Sequence, residues 1–145
     1  MRGKQGCFIQ ISLDEVFGFP NMISPFGGYD VRGIAEIKSG SYYVKGELWF
    51  TTGEVFEFYN QIVKCWAELK GVATFCSTEA NLELKVKFIN RRQISIIGYF
   101  KEFAHQDNEM KFEIESEQSF FGETVEGLEE IVNHHGGLKG IHREC

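Results

Sequence analysis

Across residues 81–88 apolar and polar side chains alternate without a break. Leu82, Leu84, Val86 and Phe88 fall on one side; Glu83, Lys85 and Lys87 fall on the other. A period of two belongs to a strand with one buried and one wet face, because successive Cβ atoms leave opposite sides of a pleated chain. Residues 109–116 repeat the pattern, with Met110, Phe112 and Ile114 inward and Glu109, Lys111, Glu113 and Glu115 outward. Between them, residues 93–100 are apolar on both sides, Ile94, Ile96, Gly98 and Phe100 against Ile97 and Tyr99, which predicts a strand covered on both faces. Three such strands with short polar connections predict an antiparallel meander, and everything else has to extend it or pack on it.

The flanking segments supply both. Residues 7–13 read as a first strand, and residues 31–38 and 42–51 as a pair joined at Ser39-Gly40-Ser41. Between these, residues 14–29 carry Gly18, Pro20, Asn21, Pro25, Gly27 and Gly28 and read as a loop with turn chemistry throughout. Thr51-Thr52-Gly53-Glu54 fits a capping box, in which a hydroxyl and a carboxylate satisfy free N–H groups at a helix start. Val55, Phe58, Tyr59, Ile62, Trp66 and Leu69 then recur at helical spacing up to Lys70-Gly71, the stripe a helix lays on a sheet. Residues 72–77 make a short strand before the meander. After Gln118, Phe121, Val125, Leu128 and Val132 mark a second amphipathic helix ending near His134-His135-Gly136-Gly137. The expected class is α+β: a single antiparallel β-sheet of meander and hairpins with two α-helices packed against one face. At 145 residues this is one domain, residues 1–145, with little to hold residues 1–6 and 138–145.

Charge is uneven. Residues 101–130 hold ten acids against two bases, in a chain whose net charge is −6. Such a stretch repels a polyanion and attracts a basic protein. The simplest alternative is a solvated face. No apolar run reaches the length of a membrane span, and no apolar signal core follows the charged N-terminus. Cys7, Cys65, Cys76 and Cys145 are spaced widely, so reduced thiols and a cytoplasmic location are expected, with Cys65 and Cys76 as small core residues.

No phosphate loop, nucleophile elbow or metalloprotease helix is present. His134, His135, His142 and Cys145 form the one close group of potential zinc donors, on a tail without strands to orient them. Glu113 and Glu115 share a wet face as a glycosidase pair could, yet Lys111 beside them favours their ionised forms. Arg91-Arg92 at the first meander turn reads as an exposed basic turn. No catalytic residue, cofactor or metal is expected. A cleft with Trp49, Tyr99 or His105 at its mouth is the competing, small-molecule or enzymatic reading.

Residues 30–135 resemble small bacterial immunity proteins of the WapI-like type. The likeness lies in Glu79-Ala80-Asn81-Leu82 with Leu84 leading into the meander, in Glu117-Gln118-Ser119-Phe120 opening the last helix, and in the capped helix that reaches Trp66 and Leu69. Family members often carry Asp where Glu117 stands and a Gly-His turn where Arg91-Arg92 stand. The resemblance implies binding without catalysis, the partner being a cognate toxin domain of a polymorphic or contact-dependent-inhibition system. Outward carboxylates at Glu109, Glu113, Glu115, Glu126, Glu129 and Glu130 are then the expected partner contacts, on a monomer or a homodimer that binds neither nucleic acid nor membrane.

Overall fold

The computed structural model describes residues 1–90 and 92–140. In chain order the elements are β1 (Phe8–Val16), β2 (Asp30–Ser39), β3 (Tyr42–Thr51), α1 (Thr52–Glu68), β4 (Gly71–Cys76), β5 (Leu82–Phe88), β6 (Ile94–Phe100), β7 (Met110–Ser116) and α2 (Gln118–His135). The class is α+β, but the strands form two antiparallel sheets, β1-β2-β3 and β4-β5-β6-β7, where a single sheet was expected. Alternation says that one face of each strand is buried and leaves open what buries it. Here the apolar faces bury one another. Ile9, Val31, Ala35, Ile37, Leu48 and Phe50 of the first sheet share one core with Leu84, Val86, Ile94, Ile96, Phe112 and Ile114 of the second.

Both helices add apolar side chains to this shared core. Thr51 and Glu54 complete the capping box at the start of α1, the Thr51 N–H donating to Glu54 Oε1 at 2.7 Å and the Glu54 N–H to Thr51 Oγ1 at 3.1 Å. Burial pushes the Glu54 carboxyl above its ordinary range, against the hydrogen bonds it accepts from Thr51 and Thr78. One side of α1 brings Val55, Phe58, Ile62 and Cys65 into the core, where Phe58 and Phe50 both meet Phe75 edge-on. Another side covers the free edge of β4. The Thr74 N–H donates to Gln61 Oε1 at 2.9 Å, and Gln61 Nε2 donates back to the Thr74 carbonyl at 3.3 Å. A side-chain amide thus blunts an edge that could otherwise pair with another chain.

The second sheet keeps its register throughout, Leu84 opposite Gly98 and Gly98 opposite Phe112. Its outer face is wet. Ile97 is 47% exposed, so β6 is not covered on both sides as its composition suggested. Cys65 is buried as expected, whereas Cys76 is exposed at the end of β4. Arg92 is exposed beside Asn90, whose carboxamide accepts its backbone N–H at 2.9 Å; Arg91 lies outside the described residues.

At the start of α2, Glu117 occupies the N-cap position without capping the helix, and its carboxylate accepts the Ser119 hydroxyl at 2.7 Å instead. An aspartate is short enough to reach the free N–H groups of the first turn. Glu117→Asp is therefore expected to stabilise the protein by about 0.5–1 kcal/mol, read as a higher urea midpoint at unchanged slope.

Candidate partner-binding surface

The six glutamates singled out by charge are all exposed, and five of them sit on β7 and α2, which meet at Glu117. Glu113 and Glu115 project from the outer face of β7, opposite Ile97 and Ser95, and Glu109 precedes that strand. The same register places Lys85 and Lys87 of β5 one strand further across this face, on a strand about 10 Å from β7. With Glu83 and Lys111 included, acids and bases on the sheet face balance. The sheet half of the acidic stretch is consequently a mixed-charge surface.

The helix half is not. α2 contains no lysine or arginine. At 100° per residue, Phe121, Val125, Leu128 and Val132 share its inner side, while Glu126, Glu129 and Glu130 occupy the outer side with Glu123. Glu123 is paired with Arg2 at 2.6 Å; none of Glu109, Glu113, Glu115, Glu126, Glu129 or Glu130 has an ion pair among the described residues. Uncompensated negative charge is thus concentrated on α2. Phe121, with no exposed surface, holds this helix to the core through an edge-on contact with Phe88 at 5.6 Å.

A second surface lies at the far end of that helix. Residues 17–29 contain no charged side chain, yet Met22 is 74%, Phe26 65% and Ile23 51% exposed, with Phe17 and Phe19 partly so. Phe17 stacks on Trp49 of β3 at 5.7 Å. The loop is well anchored. The Gly28 N–H donates to the Leu138 carbonyl at 2.7 Å, the Tyr29 N–H to Thr52 Oγ1 at 2.8 Å, and the Tyr29 hydroxyl to the Pro20 carbonyl at 2.8 Å. Gly28 has φ +69°, and a Cβ there would collide with the Gly53 nitrogen at the start of α1, so this turn can seat on the helix only as glycine.

Phe19 stacks on His134 at 5.4 Å and meets His135 edge-on at 5.2 Å, while burial and the neighbouring His134 lower the His135 pKa. Glu126, Glu130 and His134 follow one another at four-residue spacing. The acidic side of α2 therefore runs straight into the apolar loop. The turn residues of this loop are legible in sequence; its apolar exposure is not, although an uncharged stretch with five large apolar residues and no strand or helix period was the available signal.

A cavity of about 300 Å³ opens between β1 and α2, lined by Ile11, Leu13, Phe50, Phe58, Leu128 and Ile131 among others. Trp49, Tyr99 and His105 do not line it: Trp49 and Tyr99 project from the outer faces of the two sheets, and His105 lies beside Phe103 in the β6–β7 connection. Of the possible zinc donors, His142 and Cys145 lie outside the described residues, and His134 and His135 pack on Phe19. No helix is long and apolar enough to cross a membrane among the described residues.

The family described as "Immunity protein WapI-like family" matches residues 1–136. No curated protein and no solved structure matches the chain.

Proposed function

The chain belongs to the WapI-like immunity protein family, and from that premise we propose that it neutralises a cognate toxin domain by covering it, without catalysis, through the solvent side of α2. The toxin is a basic domain, a nuclease being the best fit, at the C-terminus of a polymorphic or contact-dependent-inhibition toxin. The encounter takes place in the cytoplasm. What carries this reading is the acidic side of α2, where Glu126, Glu129 and Glu130 have no ion-pair partner among the described residues.

Long-range attraction between opposite fields speeds encounter, and carboxylates in a row can stand where a nuclease expects phosphates. Glu109, Glu113 and Glu115 extend the contact onto β7. The apolar loop next to His134 supplies what charge does not, since interface energy concentrates in aromatic and methionine side chains ringed by polar groups. Rigid anchoring of the loop lowers the ordering cost of its contacts.

The direct test is a triple variant, Glu113→Lys, Glu115→Lys and Glu129→Lys, with binding to the toxin domain encoded in the neighbouring reading frame measured at two salt concentrations. A loss of about tenfold or more at low salt, with a flatter salt dependence, is expected. Affinity and salt slope equal to those of the unmodified chain would remove the acidic surface from the interface.

A further inference from the structure

We infer that the groove between β1 and α2 receives an extended segment of the toxin, added to β1 as a further antiparallel strand, with apolar side chains inward and basic ones outward. The inference rests on the toxin-binding reading above and assigns it a second contact. β1 is an edge strand, and its first half is already paired by the chain itself. The Ile9 N–H donates to the Met1 carbonyl at 2.8 Å, and the Met1 ammonium donates to the Ile9 carbonyl at 2.7 Å. Main-chain groups of an antiparallel strand alternate between its two sides. Ile11 therefore turns its N–H and C=O the same way as Ile9, into the groove, and Leu13 repeats it before the bulge that separates Leu13 from Glu15. Outside the β1–β2 ladder, neither residue has a backbone partner among the described residues.

An unpaired edge beside an apolar cavity suits a peptide strand better than a small molecule, because the edge offers a row of main-chain donors and acceptors. A strand continuing the line of Met1 would send alternate side chains towards Phe50, Phe58, Leu128 and Ile131 at the cavity floor. Its other side chains would point outward along α2, where Arg2 and Glu123 pair at the cavity rim and Glu130, with no ion pair among the described residues, follows two turns later. That arrangement selects lysine or arginine at the outward position nearest Glu130. On the α2 side Gly127 lines the cavity, and a Cβ there would meet nothing within 4 Å, which leaves the groove wide at its middle.

The test uses the full chain and a short, end-blocked peptide alternating lysine and valine, with a control peptide of equal composition carrying its lysines and valines in two blocks. Amide exchange in the free protein should be faster at Ile11 and Leu13 than at Gln10 and Ser12. The alternating peptide should slow Ile11 and Leu13 about tenfold or more. Gly127→Phe, which fills the groove from open space, and Ile11→Pro, which deletes one outward N–H, should each abolish the effect and weaken toxin binding. The inference is overturned if the control peptide protects equally, if neither peptide protects Ile11, or if the toxin binds both variants as tightly as the unmodified chain. In that last case the acidic-surface reading stands; a toxin that fails to bind the unmodified chain removes that reading itself.

Discussion

Phe121→Ala is expected to lower the stability of the protein by about 3–5 kcal/mol, the range for removing a fully buried aromatic ring from a core that relaxes only in part. Phe121 is the one fully buried residue of α2; Val125, Leu128 and Ile131 are half-buried, with Leu128 and Ile131 on the cavity wall. Gly122 and Gly127 weaken the helix by roughly 1 kcal/mol each, so its docking depends on tertiary contact and not on propensity. The edge-on contact with Phe88 ties α2 to β5, and without it the helix has to be held by α1 and the Arg2–Glu123 pair. That exposed pair contributes about 0–1 kcal/mol. Urea unfolding should therefore show a strongly lowered midpoint, and helical signal should be lost ahead of the sheets. Toxin binding should fall with the helix, because Glu126, Glu129 and Glu130 lose their common side. A loss below about 1 kcal/mol would mean that α2 is held by something other than this ring.

The elements of this fold were readable, and their assembly was only partly so. β3 runs from Tyr42 to Thr51 as its alternation predicts, and α1 starts at the Thr51 capping box because that pattern names specific hydrogen-bond partners. The division into two sheets escaped the sequence. Leu48 and Phe50 would alternate in the same way whether they faced a helix or Leu84 and Ile96 of a second sheet. Similarly, Ile97 and Val72 look like core residues by composition, yet they lie on the wet face of the second sheet, 47% and 50% exposed. The candidate site divides in the same fashion. Charge counting finds Glu126, Glu129 and Glu130 correctly as surface residues, but it cannot see that Glu113 and Glu115 share their face with Lys85 and Lys87 two strands away. The groove beside β1 depends on where the Met1 main chain pairs, for which no side-chain pattern exists.

That difference between helix and sheet sets the second large effect. Glu126→Lys, Glu129→Lys and Glu130→Lys together invert the acidic side of α2, which has no ion pair at these positions among the described residues, and the rate of association with a basic toxin should fall about 100-fold at low salt. Glu113→Lys and Glu115→Lys act on a face already balanced by lysines and should lower the rate several-fold less. All five positions are exposed, so the variants should fold like the unmodified chain, which thermal unfolding checks. The decisive measurement is stopped-flow association of the toxin domain with the two sets side by side, at low and at physiological salt. The helix set should be much slower at low salt, and the gap between the sets should close as salt rises. Equal rates for both sets and the unmodified chain at every salt concentration would contradict an interface built on α2.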